Sequence, residues 1–210
     1  AQQPGRRFWT LDPIDGTKGF VRKDQYAVAL ALVEDGTVQI GVLGCPNLDR
    51  GSLVVAVRDQ GCWKARLDGS QELHRIQVSE CEDPGQARVL RSFESGHTHV
   101  SRMDELMTAL GVQAEPVRMD SQAKYALVAE GKGDLLFRLL PPQQPDFRER
   151  IWDQAAGALV VEEAGGTVTD LEGKPLDFSV GKILVANRGV LVSNGRLHQA
   201  ALEVLGESAN

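Results

Sequence analysis

The spacing of apolar and polar positions changes near the middle of this chain, and the change predicts two kinds of architecture in one molecule. In the first half, β-branched and apolar residues cluster in short runs at 25–33, 38–43, 52–57 and 62–67, each long enough for one strand. The first pair is separated by Glu34-Asp35-Gly36-Thr37 and the second by Arg58-Asp59-Gln60-Gly61. Asp-Gly is a strong hairpin signal, because both residues tolerate the left-handed backbone that a tight turn needs. An antiparallel meander follows. A short buried strand over 8–11 precedes it, ended by Asp12-Pro13, since proline cannot donate to a ladder.

Beyond residue 86 the pattern alternates between strand and helix. Strands are predicted over 87–91, 134–140, 183–185 and 190–192, and helices over 101–110, 121–131, 151–164 and 195–205. Ser121 is placed to cap one helix and Gly131 to end it. The helix over 151–164 is the clearest: Ile151, Trp152, Ala155, Ala156, Leu159 and Val160 keep helical period, and Gly165-Gly166 stops it. Residues 141–150 form a polar, proline-rich loop. Strands first and then alternation places the chain in a mixed α/β (α+β) class of layered architecture. The division falls into residues 1–95 and 96–210.

Composition narrows the function. The 210 residues are 42% hydrophobic and 25% charged, ordinary values for a globular protein, and no apolar run is long enough to span a bilayer. A net charge of −6 argues against wrapping a nucleic-acid polymer, which requires excess Lys and Arg. It leaves room for a small anionic ligand at a local cluster of cations. Cys45, Cys62 and Cys81 read as reduced thiols in a reducing compartment, here the cytoplasm, and the four histidines have no zinc spacing. Ala1–Arg7 has no apolar h-region or cleavage pattern, so it does not read as a signal peptide; it runs straight into the first strand.

The candidate chemistry lies in carboxylates. Asp12-Pro13-Ile14-Asp15-Gly16-Thr17 puts two acids three residues apart at the end of a strand, where Pro13 and Gly16 turn the chain. Both side chains and the Ile14 carbonyl can face one point, a hard-oxygen group suited to Mg²⁺. Gly16 and Thr17 add a backbone N–H and a hydroxyl for a phosphate. Alone, the segment reads equally well as a pair of turn formers. In Trp152-Asp153-Gln154-Ala155-Ala156-Gly157 an acid sits in the first turn of the strongest helix, a placement that the helix dipole by itself explains. Yet Ala-Ala-Gly also strips bulk from the face beside Asp153, as the close approach of another element requires.

Together, in that order and at that separation, the two segments resemble the paired signatures of the inositol monophosphatase family of lithium-sensitive, magnesium-dependent phosphatases. The resemblance implies that Asp12, Asp15 and Asp153 bind Mg²⁺ through side chains and Ile14 through its carbonyl. It makes Asp15 and Thr17 the catalytic candidates, with Thr17 contacting phosphate and positioning the attacking water. Phe8-Trp9-Thr10-Leu11, Lys18-Gly19-Phe20, Gly44-Cys45-Pro46-Asn47-Leu48 and Asp120-Ser121-Gln122-Ala123-Lys124-Tyr125 resemble the branch of 3′(2′),5′-bisphosphate nucleotidases.

That branch implies a nucleotide bisphosphate as substrate and a link to sulfur assimilation: the 3′-phosphate of adenosine 3′,5′-bisphosphate, or of its sulfated form, would be removed. Gly16, Thr17, His97, Ser121, Lys124, Arg138 and Asp153 would hold it. The residues themselves agree in part, since Ser121 and Lys124 share a face near a helix start and Arg138 ends the next strand. The family pattern Gly-His-Ser-Ser-His is one residue shorter here, Gly96-His97-Thr98-His99, so either His97 or His99 faces the base.

The family also uses a glutamate on an N-terminal helical portion that this sequence lacks, so it reads as a fragment of a longer enzyme, and the expected fold is the family's sandwich without that portion; a monomer is compatible with the sequence, which does not fix the oligomeric state. Two other readings stand beside it: an inositol phosphate phosphatase, and a catalytically inactive nucleotide-binding protein.

Overall fold

The computed structural model describes residues 7–70, 72–93, 100–141 and 143–207. Strands β1 (Phe8–Asp15), β2 (Ala27–Glu34), β3 (Thr37–Cys45), β4 (Ser52–Val57), β5 (Gly61–Arg66) and β6 (His74–Ile76) form one antiparallel sheet in chain order. The expected hairpins are there: Asp35 and Gly36 both take positive φ, 51° and 79°, between β2 and β3. One correction concerns β1, which does not end at Asp12-Pro13. It runs on to Asp15, and its pairing with β2 slips between Asp12 and Asp15. An edge strand tolerates proline at such a bulge, where no ladder bond is asked of it.

The second sheet has the order β10 (Thr167–Thr169), β11 (Val190–Ser193), β9 (Leu135–Arg138), β7 (Val89–Arg91) and β8 (Val117–Arg118). β7 runs parallel to both β8 and β9, and the other pairs are antiparallel. Residues 183–185 were expected as a buried strand and are not one. Ile183 makes a single bridge to Arg150, and Val185 is exposed. Three apolar residues beside a Lys and a Gly offer too little alternation to specify a sheet position.

Helices α3 (Ala123–Ala129) and α4 (Ala155–Glu163) lie between the sheets. Every residue of α4 from Ala155 to Val161 is buried, the signature of a helix covered on all sides. It packs on β2, β3 and β4 of one sheet and on β10 and β11 of the other. Gly41 on β3 allows this: a Cβ there would lie 2.7 Å from the Ala156 carbonyl oxygen. α2 (Val100–Ala109) and α5 (His198–Glu207) cover the far face of the second sheet, where Met103, Leu106, Ala201 and Leu205 meet Leu135, Phe137 and Leu191. The layers are thus sheet, helices, sheet, helices. The outer face of the first sheet carries exposed Trp9, Leu11 and Val28.

The helix expected over 151–164 is broken. Residues Ile151–Asp153 form a 3₁₀ turn, Gln154 leaves helical geometry at φ −131°, and α4 starts at Ala155. A short helix, α1 (Thr17–Arg22), follows the first acidic segment and carries no helical period that would announce it.

Candidate active site

Local geometry folds the first acidic segment onto itself. The Asp12 carboxylate accepts the Ile14 N–H at 3.1 Å, and the Thr17 hydroxyl donates to the Ile14 carbonyl at 3.1 Å. Gly16 takes φ +81° and faces Ser121, itself at φ +70°; a Cβ on Gly16 would stand 2.7 Å from that of Ser121. A left-handed conformation at a non-glycine residue costs of order 1–3 kcal/mol and recurs at functional sites. Ser121 therefore does not cap α3 as a regular N-cap. Its Oγ accepts the Ala123 N–H at 3.2 Å from a left-handed position one residue outside the helix boundary.

Asp153 arrives from the second segment, at the end of the 3₁₀ turn rather than inside the helix. One carboxylate oxygen from each of Asp12, Asp15 and Asp153 lies within 4.8 Å of the others. Burial raises the pKa of Asp153 to about 7; Arg138 opposes the rise, while Asp15, Glu149 and Asp12 add to it. Asp12 is also raised, first by burial and then by Asp15. Asp12 and Asp153, both harder to ionise than usual and crowded against Asp15, are short of positive charge. Oxygen-only donors of this kind fit a hard divalent cation and do not suit a soft one.

One cavity of about 380 Å³ gathers nine of the predicted site residues: Asp12, Ile14, Asp15, Gly16, Thr17, Ser121, Lys124, Arg138 and Asp153. His97 and its neighbour His99 lie outside the described residues. Lys124 is buried at 2% exposure, and its Nζ donates to Ser92 Oγ and the Met119 carbonyl, each at 3.1 Å. Burial lowers its pKa to about 8; Arg138 lowers it further, and Asp15 and Asp120 work the other way. Arg138 is held by Glu149, whose carboxylate accepts from Nε at 3.0 Å and Nη2 at 2.7 Å. Burial works against that guanidinium's charge, but Glu149 overrides it and keeps its pKa above the ordinary value.

Sequence reasoning missed Ser92, Asp120 and Lys18 on the cavity wall, and Glu149 behind it. Asp120 had a signal, standing beside Ser121 in one of the family-like segments. It pairs with Arg22 of α1 and accepts the Phe93 N–H at 3.3 Å. Glu149 had none, lying among charges in a polar loop.

The model of the family described as "Inositol monophosphatase family" matches residues 1–209. The chain belongs to the inositol monophosphatase family. A 3′(2′),5′-bisphosphate nucleotidase of Schizosaccharomyces pombe is 42% identical over 209 residues, covering 94% of this chain and 58% of the relative. One from Dictyostelium discoideum is 44% identical over 209 residues, covering 96% and 62%. The chain thus spans about three-fifths of the length of these relatives. Among solved structures, a Thermotoga maritima IMPase superposes with a TM-score of 0.75 at 28% identity, over 99% of this chain and 71% of that one. CysQ of Bacteroides thetaiotaomicron, a bacterial member of the family, superposes at 0.70 and 22% identity, over 90% and 70%, and shows the shared fold alone. Inositol monophosphatase family proteins are metal-dependent, and the cluster of Asp12, Asp15 and Asp153 is where this chain can hold a metal.

Proposed function

We propose that this chain carries the catalytic core of a Mg²⁺-dependent phosphomonoesterase that converts adenosine 3′,5′-bisphosphate to AMP and inorganic phosphate. One observation carries the reading: a triad of carboxylates and two cations, the buried Lys124 and the partly buried Arg138, line the same cavity. A single phosphate needs only the metal end. A lysine drawn out of water beside it, with an arginine next to it, makes sense for a substrate with a second phosphate, whose charge offsets the lysine's desolvation. The names and 42–44% identity of the relatives support the same substrate.

Asp12, Asp15, Asp153 and the Ile14 carbonyl would hold Mg²⁺. When bound, it supplies Lewis-acid charge to the phosphate oxygens, the attacking water and the leaving 3′-oxygen. The chain's own residues do the rest. Because the Thr17 hydroxyl gives its hydrogen to the Ile14 carbonyl, its oxygen lone pairs face outward and accept from a water, which orients that water's own lone pair. The Gly16 N–H and Thr17 contact the scissile phosphate. Ser121, Lys124 and Arg138 seat the 5′-phosphate end, and fixing both ends places the 3′-phosphorus for in-line attack. The substrate is a small-molecule bisphosphate. The protein's three free cysteines, two of them fully buried, suit a reducing compartment such as the cytoplasm. No helix among the described residues is long and apolar enough to cross a membrane.

The test is phosphate release by this chain from adenosine 3′,5′-bisphosphate and from inositol 1-phosphate, with Mg²⁺ and with EDTA. Mg²⁺-dependent release from the nucleotide, lost in Asp15→Asn and Asp153→Asn, is the expected result. Equal turnover of inositol 1-phosphate would overturn the substrate; turnover that survives EDTA would overturn the metal.

A further inference from the structure

The two acidic segments come from different layers, so something must set the distance between them. β1 and its Asp15 belong to the first sheet, whereas Asp153 sits on the approach to α4. Gln122, which immediately precedes α3 and is 1% exposed, touches both. Its backbone N–H donates to Asp15 Oδ2 at 2.5 Å. Its side-chain Nε2 donates to the Trp152 carbonyl at 3.0 Å, and its Oε1 accepts the Gly157 N–H at 3.1 Å.

The last two bonds bracket Asp153. Trp152 is the residue before it, and Gly157 lies in the first turn of α4, where N–H groups have no intrahelical acceptor. Gln154, the residue at the N-cap position of α4, makes no capping bond. Its side chain is turned away, accepting the Tyr125 hydroxyl and donating to Glu149 at 2.9 Å. The chain breaks from 3₁₀ turn to helix at Gln154, and the amide of Gln122, supplied from another element, ties the two sides of that break together.

We infer that Gln122 is a positioning residue for the metal site: it caps α4 from outside and fixes where Asp153 stands relative to Asp15. The inference rests on the reading of Asp12, Asp15 and Asp153 as metal ligands. Its side-chain bonds reach no ligand atom, so the effect is transmitted through backbone. A primary amide suits this position because it offers one donor for a carbonyl and one acceptor for an N–H, separated by the width of a single carboxamide. A carboxylate could not donate, and a hydroxyl could not span both groups.

The experiment measures Mn²⁺ affinity by electron paramagnetic resonance on the folded chain without substrate, together with the thermal midpoint. Gln122→Met keeps the length and removes both side-chain bonds. Met103→Ala, a cavity in the remote α2 and α5 core, serves as the control for lost stability. Expected is Mn²⁺ binding at least tenfold weaker in Gln122→Met at a temperature where it is fully folded, against a change within twofold in Met103→Ala at an equal loss of thermal midpoint. Should Gln122→Met fail to fold, Gln122→Asn, which keeps the amide but is one methylene too short, is read the same way. Affinity within twofold of the parent, with only the midpoint lowered, would reduce Gln122 to a structural residue and overturn the inference. Failure of the unchanged protein to bind Mn²⁺ at all would instead overturn the metal reading beneath it, whatever the substrate.

Discussion

Lys124, proposed above to seat the second phosphate, shows what a buried cation costs the folded chain. A fall in pKa from 10.5 to about 8 means that roughly 3 kcal/mol opposes its charged form in the folded state. Lys124→Met should therefore stabilise the substrate-free chain by about 1–3 kcal/mol in urea unfolding at pH 7, while raising KM for the bisphosphate at least tenfold. The gain should shrink as pH rises from about 8 towards 10.5, because the folded lysine then sheds the proton that the unfolded one keeps. A Met variant no more stable than the parent would show that Ser92 and the Met119 carbonyl already compensate the charge. His198 gives a pH effect of the same sign in a lower window. The Thr169 hydroxyl donates to the Asp170 carbonyl, so it accepts from Nε2–H of the imidazole, and Nδ1 accepts the Ser193 hydroxyl. Burial lowers the pKa from 6.5, and protonating Nδ1 would force the Ser193 hydroxyl to turn from donor to acceptor. With the folded value below the unfolded one, stability is full above about pH 6.5 and is lost as pH falls below it. His198→Gln should flatten the difference in unfolding free energy between pH 7.5 and 5.5. At this scale the sequence was a good guide to residues that face the cavity, because Asp12, Asp15, Asp153, Ser121 and Lys124 sit in compact motifs. It gave no role to Gln122, whose partners lie 30 or more residues away, or to Glu149, whose place in a polar loop does not show that it faces Arg138.

Among the elements, α3 and α4 cross with almost no room between them, and glycine makes the crossing possible. A Cβ on Gly157 would fall 2.5 Å from the Tyr125 ring. Gly157→Ala should cost about 1–3 kcal/mol despite alanine's better helix propensity, because the ring cannot retreat without breaking its hydroxyl bond to Gln154. Urea unfolding decides it: a change below about 0.5 kcal/mol would mean that the helices slide apart freely. The small-residue run after Asp153 announced this approach in the sequence, although not what would approach. Other features of the elements were hidden. The periodic apolar residues of 151–164 fit one helix, yet the pull on Gln154 from Tyr125 and Glu149 splits it, a tertiary demand that overrides local pattern. Pro13 looked like a strand end because the ladder slip that accommodates it depends on β1 lying at the sheet edge, which only the assembled topology decides.

For the whole molecule, the second sheet joins two hydrophobic cores, and its central strand β9 serves both. Leu136 points into the core shared with α3, α4 and the first sheet, while Leu135 and Phe137 point into the core under α2 and α5. Alternation along one strand thus couples layers that the sequence divides near residue 95, and the chain should unfold as one unit. The three tryptophans, Trp9, Trp63 and Trp152, belong to the first sheet or pack against its core, so their fluorescence reports the far side of the molecule from α2 and α5. Far-UV circular dichroism reports helices from both sides. Leu135→Ala opens its cavity in the outer core and should cost about 2–5 kcal/mol. If β9 couples the cores, that loss shifts the tryptophan transition by as much as the dichroism transition, and the two curves stay superimposed. A fluorescence midpoint left unmoved while the dichroism midpoint falls would mean that the outer helices and the second sheet unfold on their own. Arg138, at the end of β9, would then leave the carboxylates of the first layer before the site's other wall is lost.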